Sequence, residues 1–352
     1  TGFCGRRKMD SYMRAIKKAE LLSGGPIHVS KHLTLPFPLS KSTAGPGAGS
    51  ASLVIEFEGI RVKKAVTWDD EVFSLNESGG NYFITKNGKP FLDKVCIGHT
   101  LAHAPEQAFF NLATECIYNC KFCTSPSLKE RGATKSLTDE KIISMIMHYS
   151  EHDDLKAVAL TSAVISTPQD TIDRMSKIVK DIREKLPLMP IGVEPYVEKR
   201  QQIEQLKAAG ADEIKLNIET YDKSIFEKVC GEQDIDQIIE NIISAVEIFG
   251  RGKVTSNIIY GMGETDENVL AGCEYLASLG CVATLRPLRL NDLNRPQMEA
   301  ALGHLEPVNP ERMVKLAQKY KQMLIKYDLT TFSFKTMCHE CTCCDIVPFR
   351  DI

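Results

Sequence analysis

The chain has 352 residues, 43% of them hydrophobic and 25% charged, which is enough for one large domain with appendages or for two domains. Its net charge of -3 provides no broad basic field, which argues against nucleic acid as the principal partner. No apolar run reaches membrane-spanning length and the start carries no secretory pattern, so we expect a cytoplasmic protein without membrane association.

The first part of the chain combines a helical pattern with an alternating one. Apolar residues in 9–22 recur at helical spacing. The segment "STAGPGAGSAS" at 42–52 lacks the Gly-Lys-Ser/Thr ending of a phosphate loop and is interpreted as a flexible connector. Residues 53–97 alternate in polarity around an Asn-Gly turn at 87–88, which predicts a small β-hairpin region. Residues 1–107 therefore form a predicted amino-terminal extension.

From residue 108, short apolar runs alternate with amphipathic helices. The predicted strands are 108–113, 157–162, 190–195, 213–219, 254–261 and 281–287. Thr167-Pro168 and Thr265 are predicted to start helices between them, and Gly250 to end one. Six strand–helix repeats predict an α/β fold, either an open parallel sheet or a partial barrel, over residues 108–305. In both folds chemistry gathers at the carboxyl ends of the strands.

A group of three cysteines, Cys116, Cys120 and Cys123, follows the first of these strands directly. Twelve cysteines in a chain without a secretory pattern indicate a reducing compartment, where clustered thiols are ligands more often than disulfides. Structural zinc needs four ligands, so it would require a donor from elsewhere in the chain. Three thiolates suit a four-iron, four-sulfur cluster with one iron left open for a small molecule.

The Cys-x3-Cys-x2-Cys spacing, with Phe122 before the last cysteine and six β/α repeats behind it, resembles the radical S-adenosylmethionine (SAM) superfamily. The resemblance implies a (β/α)6 partial TIM barrel and a [4Fe-4S] cluster whose open iron binds SAM. It also implies cleavage of SAM to a 5′-deoxyadenosyl radical, with the difficult chemistry carried by the cofactor. The matching SAM-binding positions, beside Phe122, are Thr161, Ser162, Ala163, Asn217, Glu219, Gly261 and Gly263.

Two of these matches, and one further candidate residue, Glu194, leave alternatives open. The segment 160–163 departs from the family's glycine-rich form. Asn217 and Glu219 stand two apart on a predicted strand, so alternation aims both at one face, where they would bond the ribose hydroxyls or remain exposed at the strand end. Glu194, at the end of the third strand, is assigned either to the cofactor or to a turn.

The carboxyl-terminal residues 306–352 combine a helix with a second cysteine group. Cys338, Cys341 and Cys344 have an iron–sulfur spacing, with Cys343 beside them, and zinc remains an alternative for four soft ligands. His339 is expected at the surface. Cys4 is a candidate further ligand, in which case the two termini would meet over the mouth of the barrel.

Within the family, the chain resembles the biotin synthase and lipoyl synthase branch, and most closely the archaeal-type two-protein lipoyl synthase system. The resemblance implies that an auxiliary [4Fe-4S] cluster donates sulfur to an octanoyl chain on a lipoyl-carrier protein or an octanoyl-lysine peptide. The implied partners are SAM, a ferredoxin- or flavodoxin-type reductant and a second radical SAM protein. Arg286 and Arg289 on the last strand are then candidates for the auxiliary cluster, for a SAM or substrate carboxylate, or for a surface ion pair. The competing hypotheses are another radical SAM enzyme (a methylase or a cofactor-biosynthesis enzyme with an electron-relay cluster), an iron–sulfur electron carrier and a zinc-bound structural or interaction protein.

Overall fold

The computed structural model describes residues 9–41, 50–132 and 137–352. Cys4 and most of the predicted connector lie outside the described residues. In chain order the elements are α1 Ser11–Ser23, β1 Ile27–Val29, β2 Ser40–Lys41, β3 Ala51–Phe57, β4 Ile60–Thr67, β5 Phe73–Ser78, β6 Asn81–Lys86, β7 Lys89–Gly98, β8 Gln107–Asn111, α2 Ser125–Glu130, α3 Asp139–His152, β9 Ala157–Thr161, α4 Pro168–Lys185, β10 Ile191–Glu194, α5 Arg200–Ala209, β11 Glu213–Lys215, α6 Lys223–Cys230, α7 Ile235–Phe249, β12 Val254–Tyr260, α8 Asp266–Leu279, β13 Val282–Pro287, α9 Arg295–Leu302, α10 Pro310–Lys326 and α11 Met337–Cys341.

The amino-terminal β region is larger than the hairpin region that the alternation predicts. In the described residues it is a seven-stranded sheet of order β2-β3-β4-β1-β5-β6-β7, and β3 also pairs with β7. The short strand β1 runs parallel to both β4 and β5. The Asn-Gly turn at 87–88 does join the antiparallel strands β6 and β7, with Lys86 opposite Lys89.

The second sheet is the predicted α/β partial barrel, with six strands. Strands β8 to β13 follow one another in space as they do in sequence, and every neighbouring pair is parallel. Their apolar runs are buried on both faces, as expected for parallel strands covered by helices. The three-cysteine loop begins at the carboxyl end of β8, which is the edge where parallel barrels collect chemistry.

The predicted helix starts and stops are confirmed. Thr167 accepts a hydrogen bond from Asp170 N with Pro168 as the first residue of α4, and Thr265 accepts one from Asn268 N at the start of α8. Helix α7 ends at Gly250, whose φ of 99° favours glycine. These local signals, which depend on neighbouring residues only, fix where the helices lie around the barrel.

The segment Thr336–His339 closes the amino-terminal end of the barrel. The Gln107 side chain accepts from Met337 N at 2.7 Å, and the Glu213 carboxylate accepts from Thr336 N at 3.0 Å and Thr336 Oγ1 at 2.6 Å. Gln107 and Glu213 are the first residues of β8 and β11. The carboxyl-terminal cysteine group therefore lies at the end of the barrel opposite the three-cysteine loop, and not over its mouth.

In the described ranges, no helix has the length and apolar character needed to cross a membrane.

Candidate functional site: a three-cysteine loop and a cysteine-lined barrel interior

The loop that carries Cys116, Cys120 and Cys123 is held by backbone hydrogen bonds to neighbouring loops. Ala163 N donates to Ala113 O at 3.0 Å, and Ile117 N donates to Val164 O at 2.8 Å. All three thiols are partly buried. Burial, together with the nearby Cys120 and Cys116, raises the pKa of Cys123, although a hydrogen bond from Ser125 opposes the shift. The three sulfur atoms are therefore near enough to interact electrostatically.

This donor set fits an iron–sulfur cluster in its chemistry. Each thiolate of such a cluster binds a different iron, so the sulfurs need not converge on a single ion. Among residues 9–41, 50–132 and 137–352, no three His, Cys, Asp or Glu side chains are grouped so as to hold one metal ion. Phe122 is partly buried against the hydrophobic core, and its carbonyl oxygen accepts from Asn294 Nδ2 at 2.9 Å.

The segment after β9 lies beside this loop, with its hydroxyl groups already bonded. Thr161 Oγ1 donates to Glu194 O at 3.2 Å, and Ser162 Oγ donates to Ala163 O at 2.8 Å. Both hydroxyl oxygens keep lone pairs that can still accept. A role for Thr161, Ser162 and Ala163 toward the SAM amine stays a prediction.

Asn217 lies beyond the strand that the sequence predicts for it. Strand β11 ends at Lys215, because Asn217 Oδ1 accepts from Asn257 N at 3.0 Å and so takes the place of a backbone partner. The Asn217 amide donates to Glu194 Oε1 at 3.0 Å, so the two residues form one polar unit at the carboxyl ends of β10 and β11. The strand alternation expected for Asn217 and Glu219 is therefore wrong, since neither belongs to a described strand.

Glu219 nevertheless presents a buried, unsatisfied acceptor at this edge. Its backbone has a φ of 61°, and its Oε2 atom has no hydrogen-bond partner among the described residues. Burial raises the pKa of Glu219 to about 7, although Lys215 opposes the shift. Asn257 Oδ1, nearby on β12, is likewise buried and unpartnered in the described part of the chain.

The Asn257 side chain also hydrogen-bonds to Glu219, and the two orphaned oxygens, Glu219 Oε2 and Asn257 Oδ1, suit hydroxyl donors such as those of a ribose. Asn217 and Glu219 do not form a solvent-exposed pair, because both residues are half-buried. Sequence reasoning missed Asn257, although a polar residue inside the apolar run "VTSNIIYG" is a usable signal.

The glycine turn after β12 is held by Glu264. Gly261 and Gly263 have φ values of 99° and 108°, and the Glu264 carboxylate accepts from Gly261 N at 2.7 Å and Met262 N at 2.8 Å. A Cβ atom on Gly261 would lie 2.5 Å from Val308 Cγ2. The close approach that requires glycine at this position is thus to Val308.

The Cys338 side chain extends from the closing segment into the barrel interior. Its Sγ atom accepts from Arg286 Nη2 at 3.1 Å and from Lys215 Nζ at 3.3 Å. Arg286 also pairs with Asp345 at 3.4 Å, and Lys215 with Glu194 at 3.1 Å. Burial opposes the charge on Lys215, but Cys338 and Glu194 outweigh it and raise its pKa. Arg286 is thus buried beside a cysteine sulfur, which excludes the surface ion pair considered for it.

The remaining carboxyl-terminal cysteines lie together against the amino-terminal sheet. A hydrogen bond from Cys343 lowers the pKa of Cys341 to about 7, with nearby Lys63 contributing in the same direction. Arg289 Nη2 donates to the Cys344 carbonyl oxygen at 2.6 Å, and its charge opposes the effect of burial, which raises the pKa of the Cys344 thiol. Buried cations are thus placed where anionic thiolates need a counter-charge.

His339, expected at the surface, is buried, with 2% of its area exposed. Its Nε2 lies 3.2 Å from Thr255 Oγ1, and burial lowers its pKa to about 3. The closing segment carries His339 inward because Met337 and Cys341 flank it on the same short helix.

A parallel partial barrel with a thiol-rich loop at its carboxyl edge places these thiols where parallel-barrel enzymes collect their chemistry. A family model described as the radical SAM superfamily matches residues 110–276. The matched segment is less than half of the chain and contains the three-cysteine loop and most of the barrel, so the chain is similar to this superfamily over that segment.

Individual similarities are distant. The chain is 23% identical over 214 residues to a probable GTP 3′,8-cyclase of Pyrococcus horikoshii, covering 60% of this chain and 66% of that protein. It is 21% identical over 208 residues to a biotin synthase of Macrococcus caseolyticus, covering 58% of this chain and 60% of that protein. The chain thus spans less than two thirds of the length of either relative.

Two solved structures share the fold. Methylornithine synthase superposes with a TM-score of 0.50 at 16% identity, covering 63% of this chain and 62% of that one. The FeFe-hydrogenase maturase HydG from Carboxydothermus hydrogenoformans gives 0.51 at 16% identity, covering 63% of this chain and 52% of that one.

Proposed function

We propose that the protein is a radical SAM enzyme that inserts sulfur at an unactivated carbon, with Cys116, Cys120 and Cys123 holding the SAM-binding cluster. When bound, that cluster supplies one electron to the sulfonium of SAM and so yields the 5′-deoxyadenosyl radical. The chain's own residues would orient SAM and exclude water. Glu219 and Asn257 accept from the ribose hydroxyls, while Thr161 and Ser162 face the methionine end.

The observation that carries the proposal is a continuous set of contacts from the SAM side of the barrel to a cysteine sulfur. Asn217 donates to Glu194, Glu194 pairs with Lys215, and Lys215 donates to Cys338 Sγ. A sulfur-bearing group at Cys338 would therefore adjoin the space in which the radical forms. Placing the sulfur source and the radical around one interior is what direct carbon–sulfur bond formation needs.

The second centre would use Cys338, Cys341 and Cys344, with Cys343 or Cys4 as a further ligand. The cations near these cysteines are Lys215, Arg286, Arg289 and Lys63. Glu194 and Asp345 pair with Lys215 and Arg286, and a thiolate-ligated iron–sulfur cluster would supply further anionic charge beside the other two. We assign the octanoyl chain of a lipoyl-carrier protein or octanoyl-lysine peptide as substrate, with a ferredoxin- or flavodoxin-type reductant and a second radical SAM protein as partners.

A second candidate is a radical SAM enzyme of cofactor biosynthesis whose auxiliary cluster relays electrons. The similarity to proteins named probable GTP 3′,8-cyclase favours it. In that case Lys215 and Arg286 would bind an anionic substrate group, since buried basic side chains are strong donors to carboxylate and phosphate.

Product analysis of anaerobically reconstituted full-length protein separates the candidates. Reduced enzyme is mixed with SAM and an octanoyl-lysine peptide, and thiolated peptide is sought by mass spectrometry. We expect thiolation in the wild type, and loss of thiolation with SAM cleavage retained in Cys338→Ala. Cys96→Ala, which alters an exposed cysteine of strand β7 that belongs to neither group, is the matched control. Unchanged thiolation in Cys338→Ala would overturn the sulfur-donor role, and 5′-deoxyadenosine without thiolated peptide would favour the second candidate.

A further inference from the structure

Residues 229–233, which form the end of α6 and the turn before α7, contact the three-cysteine loop from the side. Lys121 N donates to Val229 O at 2.9 Å, and Asn119 N donates to Glu232 Oε2 at 2.6 Å. The turn itself is fixed by a hydrogen bond from Gln233 N to Cys230 O at 2.8 Å. Residues 119–121 are therefore docked onto a preformed turn more than 100 positions later in the chain.

Two side chains of this turn are directed at one sulfur of the loop. Gln233 Nε2 donates to Cys120 Sγ at 3.4 Å. Cys230, which is 2% exposed, also lies against Cys120, with a hydrogen bond between the two thiols. A cysteine that ligates iron carries no proton, so Cys230 is the S–H donor of this pair and Cys120 receives two donors from the same turn.

We infer that Gln233 and Cys230 are positioning residues that set the reduction potential of the cluster held by Cys116, Cys120 and Cys123. This inference rests on the proposed cluster and concerns its tuning. Reduction adds one negative charge to a cluster, and part of that charge resides on the ligand sulfurs. Hydrogen bonds to a ligand sulfur stabilise the reduced form more than the oxidised form, so their loss makes reduction harder.

The asymmetry among the three cysteines supports a specific role. Cys123 Sγ accepts from Ser125, two positions later in its own loop, through the backbone N–H at 3.4 Å and through the side chain. Cys120 instead receives side-chain donors from a separate segment, more than 100 positions later, whose identity the sequence can vary without changing the loop. A potential that suits the partner reductant is therefore set at Gln233 and Cys230.

The test is a potentiometric titration of the full chain after anaerobic reconstitution. The reduction potential is read from the electron paramagnetic resonance signal that changes on addition of SAM, because this signal belongs to the SAM-binding cluster. Gln233→Met keeps the side-chain length and removes the N–H donor, and Cys230→Ala removes the S–H donor. Gln237→Met is the matched control, because Gln237 lies one helical turn further along α7 and bonds only to Glu240 by its side chain in the described residues. We expect a shift to more negative potential in Gln233→Met and Cys230→Ala, with unchanged iron content, and no shift in Gln237→Met.

An unshifted potential in Gln233→Met with the cluster intact would overturn the inference and leave the proposed function standing. Loss of iron from Cys230→Ala, or a newly gained SAM response in that variant, would show that Cys230 is itself a ligand and would also overturn it. Wild-type protein without any SAM-responsive cluster would overturn both this inference and the proposed function.

Discussion

Lys215 Nζ lies 3.3 Å from Cys338 Sγ. This contact connects the carboxyl end of strand β11 with the segment that closes the opposite end of the barrel. Lys215 is one of the most buried charged side chains in the described chain, with 2% of its area exposed. It also pairs with Glu194, so one ammonium group neutralises a carboxylate at the carboxyl end of β10 and contacts a sulfur of the closing segment. The two halves of the proposed site are thus electrostatically coupled through a single residue.

Lys215→Met should remove this coupling while keeping the volume of the side chain. We expect the iron content of reconstituted protein to fall by about half, because the second cluster loses a counter-charge and the first does not. We also expect the free energy of unfolding of the apo protein to fall by about 1–3 kcal/mol, since the partly buried Glu194, whose side chain is 17% exposed, then loses its cation. Iron and sulfide assays and urea denaturation measure the two effects. Lys223→Met is the control, because Lys223 forms only an exposed pair with Asp236, and equal iron in both variants would contradict the expectation.

The raised pKa of Glu219, about 7 against an ordinary 4.5, predicts how apo-protein stability depends on pH. The folded state holds this proton more tightly than the unfolded state, so the contribution of Glu219 is fully present below pH 4.5. This stabilising contribution, roughly 3 kcal/mol in total, is lost as the pH rises from 4.5 through the folded-state pKa of about 7. Glu219→Gln should therefore stabilise the protein at pH 8 and leave it nearly unchanged at pH 4.5. Urea midpoints at both values measure this, and an equal effect of the substitution at both would argue against a shifted pKa.

Gly261 and Gly263 separate two reasons for which glycine is required. Both have positive φ, so alanine at either position should cost about 1 kcal/mol through backbone strain. Only Gly261 also faces a close contact, to Val308 Cγ2, whereas a Cβ on Gly263 would meet nothing within 4 Å. We expect Gly261→Ala to lower the free energy of unfolding by about 1–3 kcal/mol more than Gly263→Ala. Adding Val308→Ala should recover part of the difference, and no recovery would show that the loss arises elsewhere.

The features that the sequence could predict are those determined by residues close together in the chain. Thr167-Pro168 and Thr265 mark helix starts because a cap bonds to a backbone N–H three residues away. The β/α order follows for the same reason, since each strand is a short apolar run bounded by a turn. The spacing of the three cysteines is likewise a local pattern.

The features that the sequence could not predict depend on contacts between distant segments. Asn217 ends strand β11 early by bonding to Asn257, which lies 40 positions away. His339 is polar and was expected at the surface, yet it is buried because the segment around it enters the barrel from its amino-terminal end. Periodicity carries no information about such pairings, so it does not distinguish Lys215 from other lysines on predicted strands.

The closing segment depends on Glu213, whose carboxylate accepts from Lys335 N at 2.9 Å and from both Thr336 N and Thr336 Oγ1. Glu213→Ala would leave these donors buried and unpaired, at a cost of roughly 3 kcal/mol to the docking of the segment. We therefore expect Cys341 and Cys343, which are buried, to be alkylated faster by maleimide in apo Glu213→Ala than in the wild type. Glu204→Ala, which removes only an exposed pair with Arg200, should leave the rate unchanged. Mass spectrometry of the labelled peptides reads the rates directly, and protection of both cysteines in Glu213→Ala would mean that the apolar contacts of Met337 hold the segment without this carboxylate.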